Sequence, residues 1–192
     1  MIAALYVERG GPYFNRADCD PWDLERDATK YDGPWPVVAH PPCGPWGRLR
    51  HLYRRDEHRL APLAVEQVRR WGGVLEHPAW SLLWGHCLMP IPGALFPDKH
   101  GGYSLEVCQV DWGHVAEKRT WLYLVDVPSS VLVWPPRRRP THWIVGNRGR
   151  VLNPRPAHIK CCSAQQRRRT PLAFAQYLVE LARAAGERRA AA

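Results

Sequence analysis

Short apolar runs separated by glycine and proline dominate the first half of the chain. Residues 2–7 and 36–40 are continuous apolar runs, as is typical of buried parallel strands. Residues 73–78 form a third run, which ends in a polar pair and a proline. Between the second and third runs, residues 61–71 carry apolar side chains at helical spacing and are followed by two glycines. This order of strand, helix and strand predicts an α/β fold.

The second half of the chain adds two longer strands and a final helix. Residues 105–112 and 120–125 are alternating or apolar and predict strands, and residues 143–145 predict a short one. The clearest helical pattern begins near residue 170, and we expect it to fray after Gly186.

A short helix is expected before the second apolar run. Asp20 is a suitable N-cap, and Pro21 suits the first helical position. The pattern fades near Gly33, so this helix is expected to end there.

Composition changes the picture mainly through charge. The 192 residues include 27 Lys and Arg against 18 Asp and Glu, for a net charge of +9. Codon bias could raise arginine throughout the chain, but it does not explain why acidic residues avoid the last third. Residues 137–192 carry 13 basic and 2 acidic side chains. This uneven charge favours a basic surface that binds phosphates. No apolar run approaches the roughly 20 residues that a membrane span needs.

The six cysteines do not form a metal-binding pattern. No Cys-x-x-Cys pair is present, and His158, Cys161 and Cys162 lack a clear fourth ligand. The chain start is too short and insufficiently basic for a secretory signal, so we expect reduced cysteines and a cytoplasmic protein. Neither a metal site nor a membrane partner is therefore expected.

Two side chains directly follow predicted parallel strands, where α/β proteins bind their ligands. Cys43 lies in a stiff turn, Pro41-Pro42-Cys43-Gly44-Pro45, and is either a nucleophile or a small buried cysteine. Glu76 either binds a base edge or delivers a proton, or it caps a following helical turn or lies at the surface. Lys118 lies in the turn between the strands predicted at 105–112 and 120–125.

Together these segments resemble the DNA cytosine-5 methyltransferases. That family has Pro-Cys after a strand, then Glu-Asn-Val, then a Tyr-Gly-x-Pro-Gln-x-Arg-x-Arg segment leading into a strand. Pro42 and Cys43 match the first motif, Glu76 matches the glutamate of the second, and residues 112–120 match the placement of the third. The resemblance covers roughly residues 35–125. It implies that Cys43 adds to C6 of a pyrimidine, that Glu76 holds the base edge, and that Lys118 contacts the flipped base or its phosphate.

The resemblance also implies S-adenosylmethionine as the cofactor. The family's Phe-x-Gly-x-Gly loop is absent, and His77 replaces its asparagine. Asp20 and Trp22 could supply an acid and an aromatic ring to an adenosine, or they could belong to a capped helix. The resemblance further implies a reduced, Rossmann-like, methyltransferase-type sheet at residues 1–127. A small, irregular, basic recognition-like insert would span 128–165, and a C-terminal helix at 166–192 would return to the core.

The expected partner is duplex DNA with a flipped base. Trp46 could stack on that base or pack its own loop. The phosphate contacts are expected from arginines near Cys43 and in the last third of the chain, namely Arg48, Arg50, Arg137, Arg138, Arg139, Arg148, Arg167 and Arg168. Two alternatives remain open: a catalytically degenerate nucleic-acid-binding protein, and an enzyme that modifies a free pyrimidine nucleotide.

Overall fold

The computed structural model describes residues 1–144 and 160–191. Eight strands are present in this part of the chain: β1 (Ile2–Leu5), β2 (Cys19–Trp22), β3 (Val37–Ala39), β4 (Gly73–Pro78), β5 (Tyr103–Cys108), β6 (Arg119–Val125), β7 (His142–Trp143) and β8 (Lys160–Cys161). The α-helices are α1 (Leu60–Trp71), α2 (Leu83–His86), α3 (Ala164–Arg168) and α4 (Leu172–Ala190).

Six strands form one mixed sheet in the order β2-β1-β3-β4-β6-β5. The first four are mutually parallel, and β6 runs antiparallel to both of its neighbours. The direction of the chain across the sheet reverses between β1 and β3, because β2 lies on one side of β1 and β3 on the other. The carboxyl ends of these parallel strands therefore lie at one end of the sheet, which is where open α/β sheets bind their ligands.

Alternate side chains of each central strand pack against opposite helices. In β1, Ile2 and Ala4 belong to the core that contains α4, whereas Ala3 and Leu5 belong to the core that contains α1. This two-residue period is the expected consequence of the strand pleat. Since both faces of the sheet are covered, the central strands carry the continuous apolar runs seen in the sequence.

The pattern-based expectations are confirmed for an α/β fold, but the short helix predicted at Asp20 is wrong. Asp20, Pro21 and Trp22 lie in β2, paired in parallel with β1. Asp23 rather than Asp20 accepts the backbone N–H groups of a turn, those of Glu25 and Arg26. Because β2 is an edge strand of its sheet, Pro21 is tolerated there without the loss of a central ladder hydrogen bond.

Two element ends also differ from expectation. The strand predicted at 105–112 ends at Cys108, and the chain continues as a 3-10 turn at Gln109–Trp112. The last helix does not fray after Gly186 but continues to Ala190. Arg189 holds this end, because its guanidinium donates to the Asp126 carboxylate and, at 2.6 Å, to the carbonyl of Arg70. Of the short strand predicted at 143–145, residue 145 lies outside the described residues.

Within residues 1–144 and 160–191, no helix has the length and apolar character required to cross a membrane.

Candidate active site at the carboxyl ends of the parallel strands

Cys43 lies in the loop that follows β3. Its carbonyl oxygen accepts the backbone N–H groups of Trp46 at 3.1 Å and Gly47 at 2.9 Å, which closes a 3-10 turn directly after the cysteine. A Cβ added at Gly44 would lie 2.1 Å from the ring of Tyr53, so this glycine allows a second segment to pack on the turn. Two backbone hydrogen bonds and the packing of Tyr53 hold the turn, and Cys43 is exposed at its start, unlike a buried core cysteine.

Glu76 lies near the end of β4 and is buried, with 8% of its surface exposed. Its Oε2 atom lies 3.0 Å from Nδ1 of His40, and its Oε1 atom accepts a hydrogen bond of 2.8 Å from the side-chain amide of Gln109. The Nζ atom of Lys118 lies 3.9 Å from the same Oε1 atom. The carboxylate does not cap the next helical turn, because the hydroxyl of Ser81 does so by accepting the N–H of Leu83.

A second layer of hydrogen bonds supports these contacts. The hydroxyl of Tyr13, which lies in the loop after β1, is 2.7 Å from Nε2 of His40. The amide of Gln109 also donates to Thr120 Oγ1 at 3.0 Å, and Thr120 donates in turn to the carbonyl of Lys118. The network therefore joins the loops after β1 and β3 to β4 and β6.

The charge state of Glu76 follows from these neighbours. Burial alone would raise the pKa of its carboxyl, but the charge of Lys118 and the hydrogen bond from His40 outweigh burial and lower the pKa to about 2. Glu76 is therefore a carboxylate at neutral pH, able to accept hydrogen bonds and unable to donate one.

The thiol of Cys43 responds to the same charges. Surrounding protein atoms screen it from water although it remains reachable, and this desolvation raises its pKa. The negative charge of Glu76 raises the pKa further, whereas Lys118 and Arg167 lower it. The three residues expected to be catalytic, Cys43, Glu76 and Lys118, are therefore close enough to share one electrostatic environment.

His77, at the position of the family's asparagine, is fully buried behind this site. Burial lowers the pKa of its imidazole to about 4, and the Glu76 charge and the Pro42 carbonyl offset only part of that effect. The ring is therefore neutral at pH 7. It packs at 6.4 Å, centroid to centroid, from the ring of Trp84.

Trp46 packs within its own loop. Its ring lies near those of His58 and His86, at centroid distances of 6.2 and 4.8 Å, and it contacts the core on the α1 side of the sheet. Of the two roles expected for Trp46, this half-buried position corresponds to packing within its own loop and not to stacking on a flipped base.

The residues expected to bind the cofactor are paired with each other. The Asp20 carboxylate accepts the indole N–H of Trp22 at 2.9 Å and forms an ion pair with Arg26. The guanidinium of Arg26 also lies 4.0 Å above the ring of Trp22. With its carboxylate and its ring face both occupied, this pair does not fit an adenosine.

The basic residues surround the site unevenly. Arg167 lies in α3, which is attached to the β5–β6 turn by a 3.0 Å contact between Nε2 of His114 and the carbonyl of Gln166. The remaining described arginines of the expected phosphate-binding set are exposed: Arg48, Arg50, Arg137, Arg138, Arg139 and Arg168. Arg148 lies outside the described residues. Across the described part of the chain, no group of three or more His, Cys, Asp or Glu side chains is arranged to hold a metal ion.

Three residues of this network were not singled out from the sequence. His40 precedes Pro41-Pro42-Cys43 at a strand end, so its position was a usable signal. No sequence signal marks Tyr13 or Gln109, because they reach the site from a loop and a 3-10 turn whose placement depends on the sheet order.

Comparisons of the chain with family models, curated proteins and solved structures found no match.

Proposed function

We propose that the protein modifies C5 of a pyrimidine in DNA, with cytosine as the target, through a covalent adduct between Cys43 and C6 of the base. The observation that carries this proposal is the convergence of an exposed cysteine, a buried carboxylate and a lysine at one strand edge. Nζ of Lys118 lies 3.9 Å from the carboxylate of Glu76, and both charges act on the Cys43 thiol.

The sheet supports a Rossmann-like, methyltransferase-type assignment. Strand order reverses between β1 and β3, and ligands of doubly wound sheets bind in the crevice at such a switch point. Tyr13 follows β1, and Cys43 follows β3.

The proposed chemistry begins with loss of the Cys43 proton to solvent. The thiolate electron pair forms the S–C6 bond, and the electrons of the C5=C6 double bond move onto C5 and into the ring. C5 then takes an electrophile, either a proton or a one-carbon group. Loss of the original C5 hydrogen as a proton and expulsion of the Cys43 thiolate restore the double bond.

Glu76 and Lys118 have complementary roles in this scheme. An ionised Glu76 accepts an N–H of the base edge, since it has no proton to give. Lys118 carries three donors and no acceptor, so it binds a ring nitrogen or carbonyl that gains electron density as the adduct forms. The base would thus be held by one acceptor and one donor 3.9 Å apart.

S-adenosylmethionine is the one-carbon donor that the resemblance implies, and it would supply a methyl group. Asp20 and Trp22 do not fit its adenosine, because each is engaged by the other and by Arg26. Formation of the Cys43 adduct itself needs no cofactor, so it can be tested by a reaction that uses none. The six free cysteines agree with the proposed cytoplasmic location.

Exchange of the C5 hydrogen provides that test, since addition of Cys43, protonation at C5, loss of the original hydrogen and elimination need no donor. DNA containing cytosine tritiated at C5 should release tritium to water, faster as pH rises towards the thiol pKa. Cys43→Ser should abolish the release and keep DNA affinity near that of the wild type. Tritium release by Cys43→Ser at the wild-type rate would show that Cys43 is not the nucleophile. DNA binding by a wild-type protein that releases no tritium would instead favour the catalytically degenerate alternative.

A further inference from the structure

A continuous hydrogen-bonded chain runs behind the carboxylate of Glu76. The hydroxyl of Tyr13 lies 2.7 Å from Nε2 of His40, and Nδ1 of His40 lies 3.0 Å from Oε2 of Glu76. The tautomer assigned from these partners has its proton on Nδ1, so Tyr13 donates to His40 and His40 donates to Glu76. Each group comes after or within a different parallel strand, namely β1, β3 and β4.

The second oxygen of Glu76 is held as well. The side-chain amide of Gln109 donates to Oε1 at 2.8 Å, and Gln109 is itself fully buried. A carboxylate has about four lone-pair sites. His40 and Gln109 fill one on each oxygen, which fixes the plane of the carboxylate and leaves one site per oxygen for Lys118 and a ligand.

Such a buried polar chain is a poor way to gain stability. Burying a carboxylate costs several kcal/mol in desolvation, and well-packed apolar side chains of similar volume are often as stable. This hydrogen-bonded chain also lies where the strand order reverses, the place at which open α/β sheets bind ligands. The desolvation cost of this hydrogen-bonded chain and its position in the sheet both indicate that it contributes to the function of the site.

We propose that His40, backed by Tyr13, is a positioning residue that holds the Glu76 carboxylate in the plane in which it receives an N–H of the target pyrimidine. This inference rests on the proposed function. It adds a role for two residues that do not touch the base: His40 sets the direction of the acceptor, and Tyr13 sets the tautomer and the ring angle of His40.

Three variants test the chain, with tritium release from C5-labelled cytosine DNA as the assay. His40→Leu removes the donor to Glu76 and should lower kcat by about 100-fold, the loss expected for a misplaced group, with KM changed far less. His40→Asn places an amide N–H near the former Nδ1 position and should recover a large part of kcat. Tyr13→Phe removes one oxygen atom and should lower kcat by a smaller factor.

Tyr123→Phe is the matched control. It also removes a buried tyrosine hydroxyl, one that donates to Asp98 at 2.6 Å and anchors the loop before β5. It should keep kcat while lowering the melting temperature about as much as Tyr13→Phe does. Equal kcat in His40→Leu and the wild type would overturn the positioning role, and so would equal losses in Tyr13→Phe and Tyr123→Phe. A wild-type protein that releases no tritium would overturn the proposed function itself, and the positioning role with it.

Because His40→Leu could fail to fold, Tyr13→Phe carries the test in that case. It alters a single atom and leaves the ring that packs at 5.4 Å from His40. An unchanged kcat in a folded Tyr13→Phe protein would overturn the contribution of Tyr13.

Discussion

Nζ of Lys118 lies 3.9 Å from Oε1 of Glu76, and both side chains are largely buried, with about one-sixth and one-tenth of their surfaces exposed. The two charges act on the Cys43 thiol in opposite directions, since Glu76 raises its pKa and Lys118 lowers it. Burial is the largest cause of the raised Cys43 pKa, and the ion pair adjusts how much of the nucleophile is present as thiolate as well as how a base would be held.

Glu76→Gln should lower the rate of tritium release by about 100-fold, the loss expected when a group that positions the base is altered. The amide keeps the size of the side chain but loses the charge and half of its acceptor capacity. Glu66→Gln is the control, because Glu66 is an exposed helix residue that pairs with Arg69. If Glu76→Gln released tritium at a rate within a few-fold of the wild type, Glu76 would have only a structural role.

The same substitution should change thiol reactivity in the opposite direction. Removal of the Glu76 charge lowers the pKa of Cys43, so iodoacetamide should alkylate Cys43 faster at neutral pH in Glu76→Gln than in the wild type. Lys118→Met should slow the alkylation for the converse reason. Peptide-resolved mass spectrometry separates Cys43 from the other five cysteines. Slower alkylation in Glu76→Gln would show that its charge does not reach the thiol.

DNA binding should depend on salt through exposed arginines near the site. In a plot of the log of the DNA-binding constant against the log of the salt concentration, each phosphate contact steepens the slope by about 0.9. Arg168→Ala should therefore make the slope shallower by about that amount. Arg188→Ala is the matched control. It lies beside Arg189, whose contact with the carbonyl of Arg70, just before β4, puts that end of α4 at the amino ends of the parallel strands, opposite the site. Equal slopes for both variants and the wild type would remove Arg168 from the interface.

Backbone packing at the start of β4 gives a stability prediction that does not depend on function. Gly73 has φ +115°, and a Cβ there would lie 2.0 Å from the carbonyl oxygen of Val37 in the neighbouring strand. Gly73→Ala should therefore cost on the order of 3 kcal/mol of unfolding free energy. Gly85→Ala, where nothing lies within 4 Å, should instead stabilise the protein by about 0.5–1 kcal/mol. Chemical denaturation measures both, and similar values for the two variants would contradict the close approach.

The site residues that could be predicted are those placed by strand ends. Cys43 lies just after β3 and Glu76 near the end of the neighbouring parallel strand β4, so their proximity follows from the sheet rule alone. The partners of Glu76 could not be found in this way, because His40 and Gln109 lie 36 and 33 residues away in sequence and meet it only through strand order. The error at Asp20 has a local cause. An Asp-Pro pair fits a helix start and an edge strand equally well, and Asp23 supplies the turn three residues later.

Acid should destabilise the fold through His77 before it does so through Glu76. The folded protein resists protonation of His77, whose pKa is about 4 against an ordinary value of 6.5, while the unfolded chain takes up the proton. The unfolded state therefore binds more protons between pH 6.5 and 4. As the pH is lowered across that window, the free energy of unfolding falls by at most about 3 kcal/mol. Glu76, with a lowered pKa of about 2, contributes stability that is lost at lower pH, between about 4.5 and 2.

A substitution at His77 tests this order. Because His77→Asn removes the imidazole that takes up a proton in the unfolded chain, the unfolding free energy of this variant should change little between pH 6.5 and 4. The exposed His51→Asn should keep the full loss. A slope in His77→Asn equal to that of the wild type would mean that His77 is not the group that sets the acid stability of this fold.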